Sequence, residues 1–123
     1  MRIQQSVWQD AGPWLAQKTH SEINPQLILV FGGAFQFKNP VWLDSLKSLH
    51  PHALLIGCST AGEIIGTRVL DDSVVATAIE FEKTAIEFVS IAVDGPEKSE
   101  QAAEALMAQL NPQGLRHVIV LSE

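Results

Sequence analysis

Several residues able to do chemistry lie close together near the middle of the chain. A thiol, two hydroxyls and a carboxylate fall between or beside two glycines; the residues are Gly57, Cys58, Ser59, Thr60, Ala61, Gly62 and Glu63. Glycines let a backbone approach a ligand closely, hydroxyls and N–H groups bind anions, and a thiolate is a nucleophile. The stretch therefore predicts a ligand cradle, a cysteine-dependent active site, or a capped strand-to-helix turn with nothing bound.

The cysteine reading requires a base near Cys58, because the thiolate is the reactive form. His50 and His52 precede the strand that leads to Cys58, so we expect them at its opposite end. His20 falls in the first helical region and His117 begins the last predicted strand, so we expect neither imidazole near the Cys58 thiol. Cysteine is also among the most buried residue types. We therefore expect a buried, slowly reacting thiol, no catalytic residue and no metal site, with a cysteine-dependent enzyme as an alternative.

The stretch is not one of the common nucleotide-binding loops. No Gly-Lys-Ser/Thr follows it, as a Walker loop requires, and its glycines lack the close spacing of the dinucleotide fingerprint. We expect the N–H groups of residues 58–63 and the hydroxyls of Ser59 and Thr60 to hold a carboxylate. Glu63 would then receive an amino group. A zwitterion such as an amino acid meets both requirements.

The elements that must position these residues alternate between strands and helices. Continuous apolar runs predict buried strands, helical spacing predicts helices, and strict alternation predicts partly exposed strands. In chain order we predict a short helix capped by Asp10, a strand at 27–31, a helix at 39–50, a strand at 53–56, two antiparallel strands within 74–93, a helix at 95–111 and a strand at 118–121. The predicted fold class is α/β: a mixed sheet with parallel buried strands joined by helices, plus an antiparallel strand pair.

This arrangement predicts where a ligand binds. The C-terminal ends of parallel strands meet at one edge of the sheet, which is where open α/β sheets hold their ligands. Gly32 and Gly33 follow the first buried strand, residues 58–62 follow the second, and Ser122 and Glu123 follow the last. We therefore expect the site to combine Gly32 and Gly33 with the stretch from Gly57 to Glu63.

Composition excludes several classes of protein. Of the 123 residues 46% are hydrophobic, enough for a folded core, and the net charge is -6 with scattered basic residues. This charge argues against nucleic-acid binding. One cysteine excludes an internal disulfide and fits a reducing compartment. The sequence contains neither a signal-peptide pattern nor an apolar run of membrane-spanning length. We expect a cytoplasmic protein without a nucleic-acid or membrane partner.

Residues 57–64, GCSTAGEI, follow a short apolar strand and resemble the signature of the FIST N-terminal domain. The resemblance extends to the strand at 27–32, the helix at 39–50 and the alternating strands at 73–93. It implies a FIST N-like α/β domain at 25–123, preceded here by a segment at 1–24 that we expect to be helical. The family takes its name from F-box and intracellular signal-transduction proteins. Its members resemble cytoplasmic sensory input domains that bind small ligands such as amino acids.

The resemblance implies a nonenzymatic sensory domain that binds an amino-acid-like ligand and signals to a partner protein. Some bacterial members are nitric-oxide-sensing haem proteins that act on histidine kinases, so a haem-based sensor is an alternative; otherwise we expect no cofactor. An interaction module that recruits a partner along a hairpin edge is a further alternative. Because the family usually continues into a C-terminal companion domain, we expect this chain to be truncated before it. An exposed strand edge would then favour a homodimer.

Overall fold

A computed structural model describes residues 1–17 and 22–121. The strands are β1 (Arg2–Trp8), β2 (Leu15–Ala16), β3 (Leu27–Gly33), β4 (Leu54–Thr60), β5 (Glu63–Ile65), β6 (Arg68–Leu70) and β7 (Val74–Glu80). The helices are α1 (Ala34–Lys38), α2 (Val41–Leu49) and α3 (Ser99–Gln109), the last preceded by a 3-10 turn at Pro96–Lys98. The residues form two compact units, Met1–Thr84 and Ala85–Val120. The predicted loop at Ser122 and Glu123 lies outside the described residues.

The first unit is built on a mixed sheet. Among the described residues its strand order is β2-β1-β7-β3-β4, with β3 and β4 parallel and the other neighbours antiparallel. The parallel pair is joined through α1 and α2, as the apolar runs predicted. The predicted α/β fold class with a mixed sheet is thus confirmed. A separate antiparallel hairpin, β5–β6, follows β4.

Each face of the sheet carries its own core. On one face α2 packs through Trp42 and Leu46, which are 3% and 1% exposed, against Ile28, Val30 and neighbouring strand residues. Phe37 lies against the Trp42 ring and Trp14 meets it edge-on. On the other face Ile65 of β5 packs on Val7 and Val75. The alternation of side chains along β1 and β7 divides their residues between these two cores.

The N-terminal helix that we predicted is wrong in the described residues. Residues 2–8 form β1, which pairs along its whole length with β7, and Leu15–Ala16 form β2. Asp10 and Ala11 have φ angles of 52° and 54°, a left-handed conformation that reverses the chain. An N-cap residue instead needs an extended φ. The segment therefore forms a strand hairpin in which Val7 lies opposite Leu15.

The predicted pairing within 74–93 is also wrong. The first strand exists as β7, but residues 81–95 contain no helix or strand. Both edges of β7 are taken, one by β1 and the other by β3, so it has no edge left for the segment that follows it. Residues 118–121, predicted as a buried strand, form no strand either, and Val118, Ile119 and Val120 are exposed.

In the second unit the predicted helix is confirmed as α3. The 3-10 turn that leads into α3 begins at Pro96, where the missing N–H of proline costs nothing, and α3 ends at Gln109, before Asn111 and Pro112. Ala102 of this helix is buried, whereas Met107 is half-exposed.

Candidate functional site

The two glycine-containing segments lie side by side, as expected. In the parallel pairing of β3 and β4, Gly32 lies opposite Ser59 and Gly33 opposite Thr60. Both positions are the last two of their strands, so the predicted site residues meet at the C-terminal edge of the parallel pair. The edge that the sequence predicted as a binding edge therefore exists.

The turn itself differs from the prediction. Cys58, Ser59 and Thr60 belong to β4, and only Ala61 and Gly62 form the bend before β5 begins at Glu63. The chain therefore passes from strand to strand, and the helix that would have been capped here is absent. Because residues alternate along β4, Cys58 and Thr60 face one side of the sheet and Ser59 the other.

Glu63 is the most constrained of the predicted site residues. It is 2% exposed, and three groups donate hydrogen bonds to its carboxylate. The Thr60 hydroxyl donates to Oε1 at 2.7 Å, while the Ser73 hydroxyl and N–H donate to Oε2 at 2.7 and 3.3 Å. Ser73, fully buried, also accepts the N–H of Gly33 through its carbonyl. Glu63 thus ties the bend after β4 to the ends of β3 and β7.

The glycines of the site serve close packing. A Cβ on Gly57 would lie 2.0 Å from the Val30 carbonyl oxygen, and one on Gly32 would lie 2.9 Å from that of Ser73. Gly33 and Gly62 have room for a side chain at ordinary contact distances. None of these four has a positive φ. Gly66, which the sequence reading missed, does have one, at 60°.

A cleft of about 330 Å³ opens beside the bend. Its walls come from the sheet and from the start of the hairpin: Gln5, Phe31, Thr60, Gly62, Glu63, Ile64, Val75 and Thr77. Three of these were predicted site residues. The sequence analysis did not predict Gln5 or Thr77 as site residues. Each lies two positions from a buried valine on the same face of its strand, and a polar residue on such an apolar face is the signal that could have identified it.

The polar groups of the cleft form a short network. Gln5 Nε2 donates to Thr77 Oγ1 at 3.2 Å, and Gln5 Oε1 accepts the N–H of Gly66 at 3.2 Å. The Thr77 hydroxyl proton and the second amide proton of Gln5 remain able to donate. Thr60 uses its proton on Glu63 and keeps its oxygen as an acceptor. The cleft therefore offers donors from Gln5 and Thr77 and an acceptor from Thr60, together with apolar lining residues.

Cys58 is only partly buried, whereas we expected a buried thiol. It lies opposite Phe31 in the parallel register, outside the cleft lining. His50 follows the last residue of α2, and His52 lies two residues before β4. At about 3.3 Å per strand residue, His52 is far from the thiol. Burial lowers the pKa of His50, which favours its neutral form.

The described residues hold no cluster of metal ligands, and the cleft lacks the ligands that a haem iron needs. No cluster of three His, Cys, Asp or Glu side chains occurs within 1–17 and 22–121. Haem iron is held by His, Cys, Met or Tyr, and the cleft lining contains none of these. The residues of the cleft therefore do not fit a haem group.

The fold and site are those of a small mixed α/β domain with a ligand-sized cleft at the ends of its parallel strands. Residues 26–123 match the family model of the FIST N domain, so the chain belongs to this family of sensory and signal-transduction domains. No curated protein and no solved structure matches the chain. In the described part of the chain, none of the helices is long and apolar enough to span a membrane.

Proposed function

We propose that this domain senses a small zwitterionic ligand of the amino-acid type, bound in the cleft beside the bend at Ala61 and Gly62. The family supports a sensory role. The observation that carries the proposal is the cleft itself, which brings the predicted residues Thr60, Gly62 and Glu63 together with Gln5 and Thr77. Concave sites with apolar walls and a few convergent polar groups are typical of small-molecule binding.

The donors and acceptors of the cleft suit the two ends of such a ligand. Thr77 and Gln5 can donate to a carboxylate, while the Thr60 oxygen can accept from an ammonium group, with the Glu63 carboxylate directly behind it. Phe31, Val75 and Ile64 can cover an apolar side chain. A purely anionic ligand would bind less well because Glu63 and the net charge of -6 repel it.

This assignment changes the role we give to Glu63. Its three hydrogen-bond donors come from the protein, and the side chain is almost fully buried. We therefore propose that Glu63 holds the bend in place and acts on the ligand's ammonium group through Thr60. Ser59, Ala61 and the glycines shape the edge of the site.

A calorimetric and thermal-shift screen with the twenty amino acids, each tested alone, tests the proposal. Ligand at a hundred times its dissociation constant should stabilise the fold by about 2.7 kcal/mol. The matching carboxylic acid and amine, each lacking one charged end, should bind more weakly. Thr77→Val should weaken binding about tenfold by removing a donor, and Thr84→Val, an exposed threonine, should not. Equal binding by both variants would contradict the site.

We further propose that the domain acts without catalysis, in the cytoplasm, on a signalling partner such as a histidine kinase. The absence of a histidine beside Cys58, within the first unit as described, supports a nonenzymatic role. The partner and the compartment rest on the family resemblance and on the single cysteine. Pull-down with the purified domain, with and without a bound amino acid, tests the partner.

A further inference from the structure

The β5–β6 hairpin is attached to the sheet at its base and at its turn. At the base, Glu63 accepts hydrogen bonds from Thr60 and Ser73. At the two-residue turn, the N–H of Gly66 donates to Gln5 Oε1 at 3.2 Å. Gly66 has a positive φ and is the first loop residue, as a type II′ turn requires. Between the two attachments Ile65 is buried against the sheet, and Leu70, which is partly buried, packs against the same cluster.

Gln5 makes contacts at both ends of its amide group. Its oxygen holds the Gly66 N–H of the hairpin, and its nitrogen donates to Thr77 Oγ1 inside the cleft. An amide group is planar and rigid, so a shift of the nitrogen moves the oxygen with it. The same side chain therefore lines the cleft and fixes the hairpin turn.

We propose that Gln5 is a positioning residue that couples occupancy of the cleft to the hairpin turn. The inference rests on the proposed function and adds how ligand binding in the cleft would be transmitted to the hairpin. A ligand carboxylate that accepts from Thr77 and from the free N–H of Gln5 holds the amide in place, and the amide in turn holds Gly66. Ligand binding thus reduces opening of the β5–β6 turn. This element is attached by few groups, as elements that move in signalling usually are.

Amide hydrogen exchange at Gly66, followed by NMR in the ligand-free protein, tests the link. Gln5→Met keeps the length of the side chain but removes both polar ends, and should speed exchange at Gly66 about tenfold. Gln4→Met is the matched control, because Gln4 is the adjacent glutamine on the opposite face of β1. Gln5→Glu retains an acceptor and should stay near the wild-type rate. Wild-type exchange in Gln5→Met would overturn the proposal.

The same measurement with each of the twenty amino acids tests the coupling. An amino acid that stabilises the fold should slow Gly66 exchange in wild type, and should bind Gln5→Met more weakly and, at saturating concentration, without that slowing. Stabilisation with unchanged exchange at Gly66 in wild type would overturn the coupling and leave the proposed function standing. If no amino acid binds, the proposed function fails and the ligand coupling fails with it. The ligand-free comparison then still reports whether Gln5 holds the turn.

Discussion

Glu63 and Ser73 are joined by two hydrogen bonds, from the Ser73 hydroxyl and from its backbone N–H, both to Glu63 Oε2. Ser73 is the residue just before β7, and its carbonyl accepts the N–H of Gly33 at 3.1 Å. The pair therefore joins the start of the hairpin to the end of β3 and the beginning of β7. A buried carboxylate is tolerated here because protein donors replace the water that it loses.

Removal of this carboxylate should be costly. Glu63→Ala leaves the buried N–H and hydroxyl of Ser73 without their acceptor, and should lower the free energy of unfolding by about 3 kcal/mol. Glu63→Gln should cost only about 1 kcal/mol, because its oxygen can serve Ser73 and its amide can donate to Thr60. Urea denaturation measures both, with Glu22→Ala at an exposed position as the control. Equal losses in Glu63→Ala and Glu22→Ala would refute the anchoring role.

Gly57 should tolerate no side chain. The Cβ of Gly57→Ala would lie 2.0 Å from the Val30 carbonyl oxygen, so β3 and β4 would have to separate. We expect a loss at or above the upper end of the roughly 1–3 kcal/mol usual for overpacking. Gly33→Ala, where the nearest atom is 3.7 Å away, should change the unfolding free energy by less than about 1 kcal/mol. Thermal denaturation of the two variants provides the comparison, and similar melting temperatures would contradict it.

Cys58 should behave as a structural residue. Cys58→Ser should lower the unfolding free energy by about 1–2 kcal/mol and leave ligand binding intact. Because the thiol is only partly buried, a thiol reagent should label it in the folded protein, in a single slow phase. Mass spectrometry follows the labelling. A rapid stoichiometric burst at neutral pH, or a turnover activity lost in Cys58→Ser, would favour the cysteine-enzyme alternative.

His50 should make stability fall at mildly acidic pH. Burial lowers its pKa below the ordinary 6.5, so between these two values the unfolded chain binds a proton that the folded chain does not. Stability is therefore fully present above about pH 6.5 and declines as the pH falls toward the folded-state pKa. Urea denaturation across this range should show a shallower decline in His50→Gln than in wild type. His52→Gln, at an exposed position, serves as the control.

The sequence predicted the elements whose signals are local. The apolar runs at 27–31 and 53–56 placed β3 and β4, and their parallel pairing brought Gly32 and Gly33 beside Ser59 and Thr60. Helical spacing after Asn39 and Pro40 likewise predicted α2. In each case the pattern within the segment is enough, because burial of a continuous apolar strand or an apolar helix stripe determines the element.

Relationships between distant segments were not predictable in this way. Asp10 suggested a capped helix, yet Leu15–Ala16 pairs as β2 with β1, and β1 in turn pairs with β7, more than half the chain away. The cleft shares this origin, since Gln5 and Thr77 meet only through that pairing. Glu63 was expected to face a ligand because Ser73 was not recognised as a nearby donor. The alternation of apolar and polar residues along a strand predicts which side chains face the core, but it does not predict which strands pair with it.

The pairing of β1 with β7 also bears on how the chain folds as it is synthesised. Arg2 pairs with Glu80 and Trp8 with Val74, so β1, which also pairs with β2, acquires its second neighbour only after β7, the last strand of the sheet, has been synthesised. Until β7 emerges, β1 and β3 have no strand between them and their apolar side chains stay exposed. Such non-local pairing requires closure of a long loop, which slows folding and prolongs the exposure of strands prone to aggregate. Binding of a chaperone to β1 and β3 in the nascent chain would shorten that exposure.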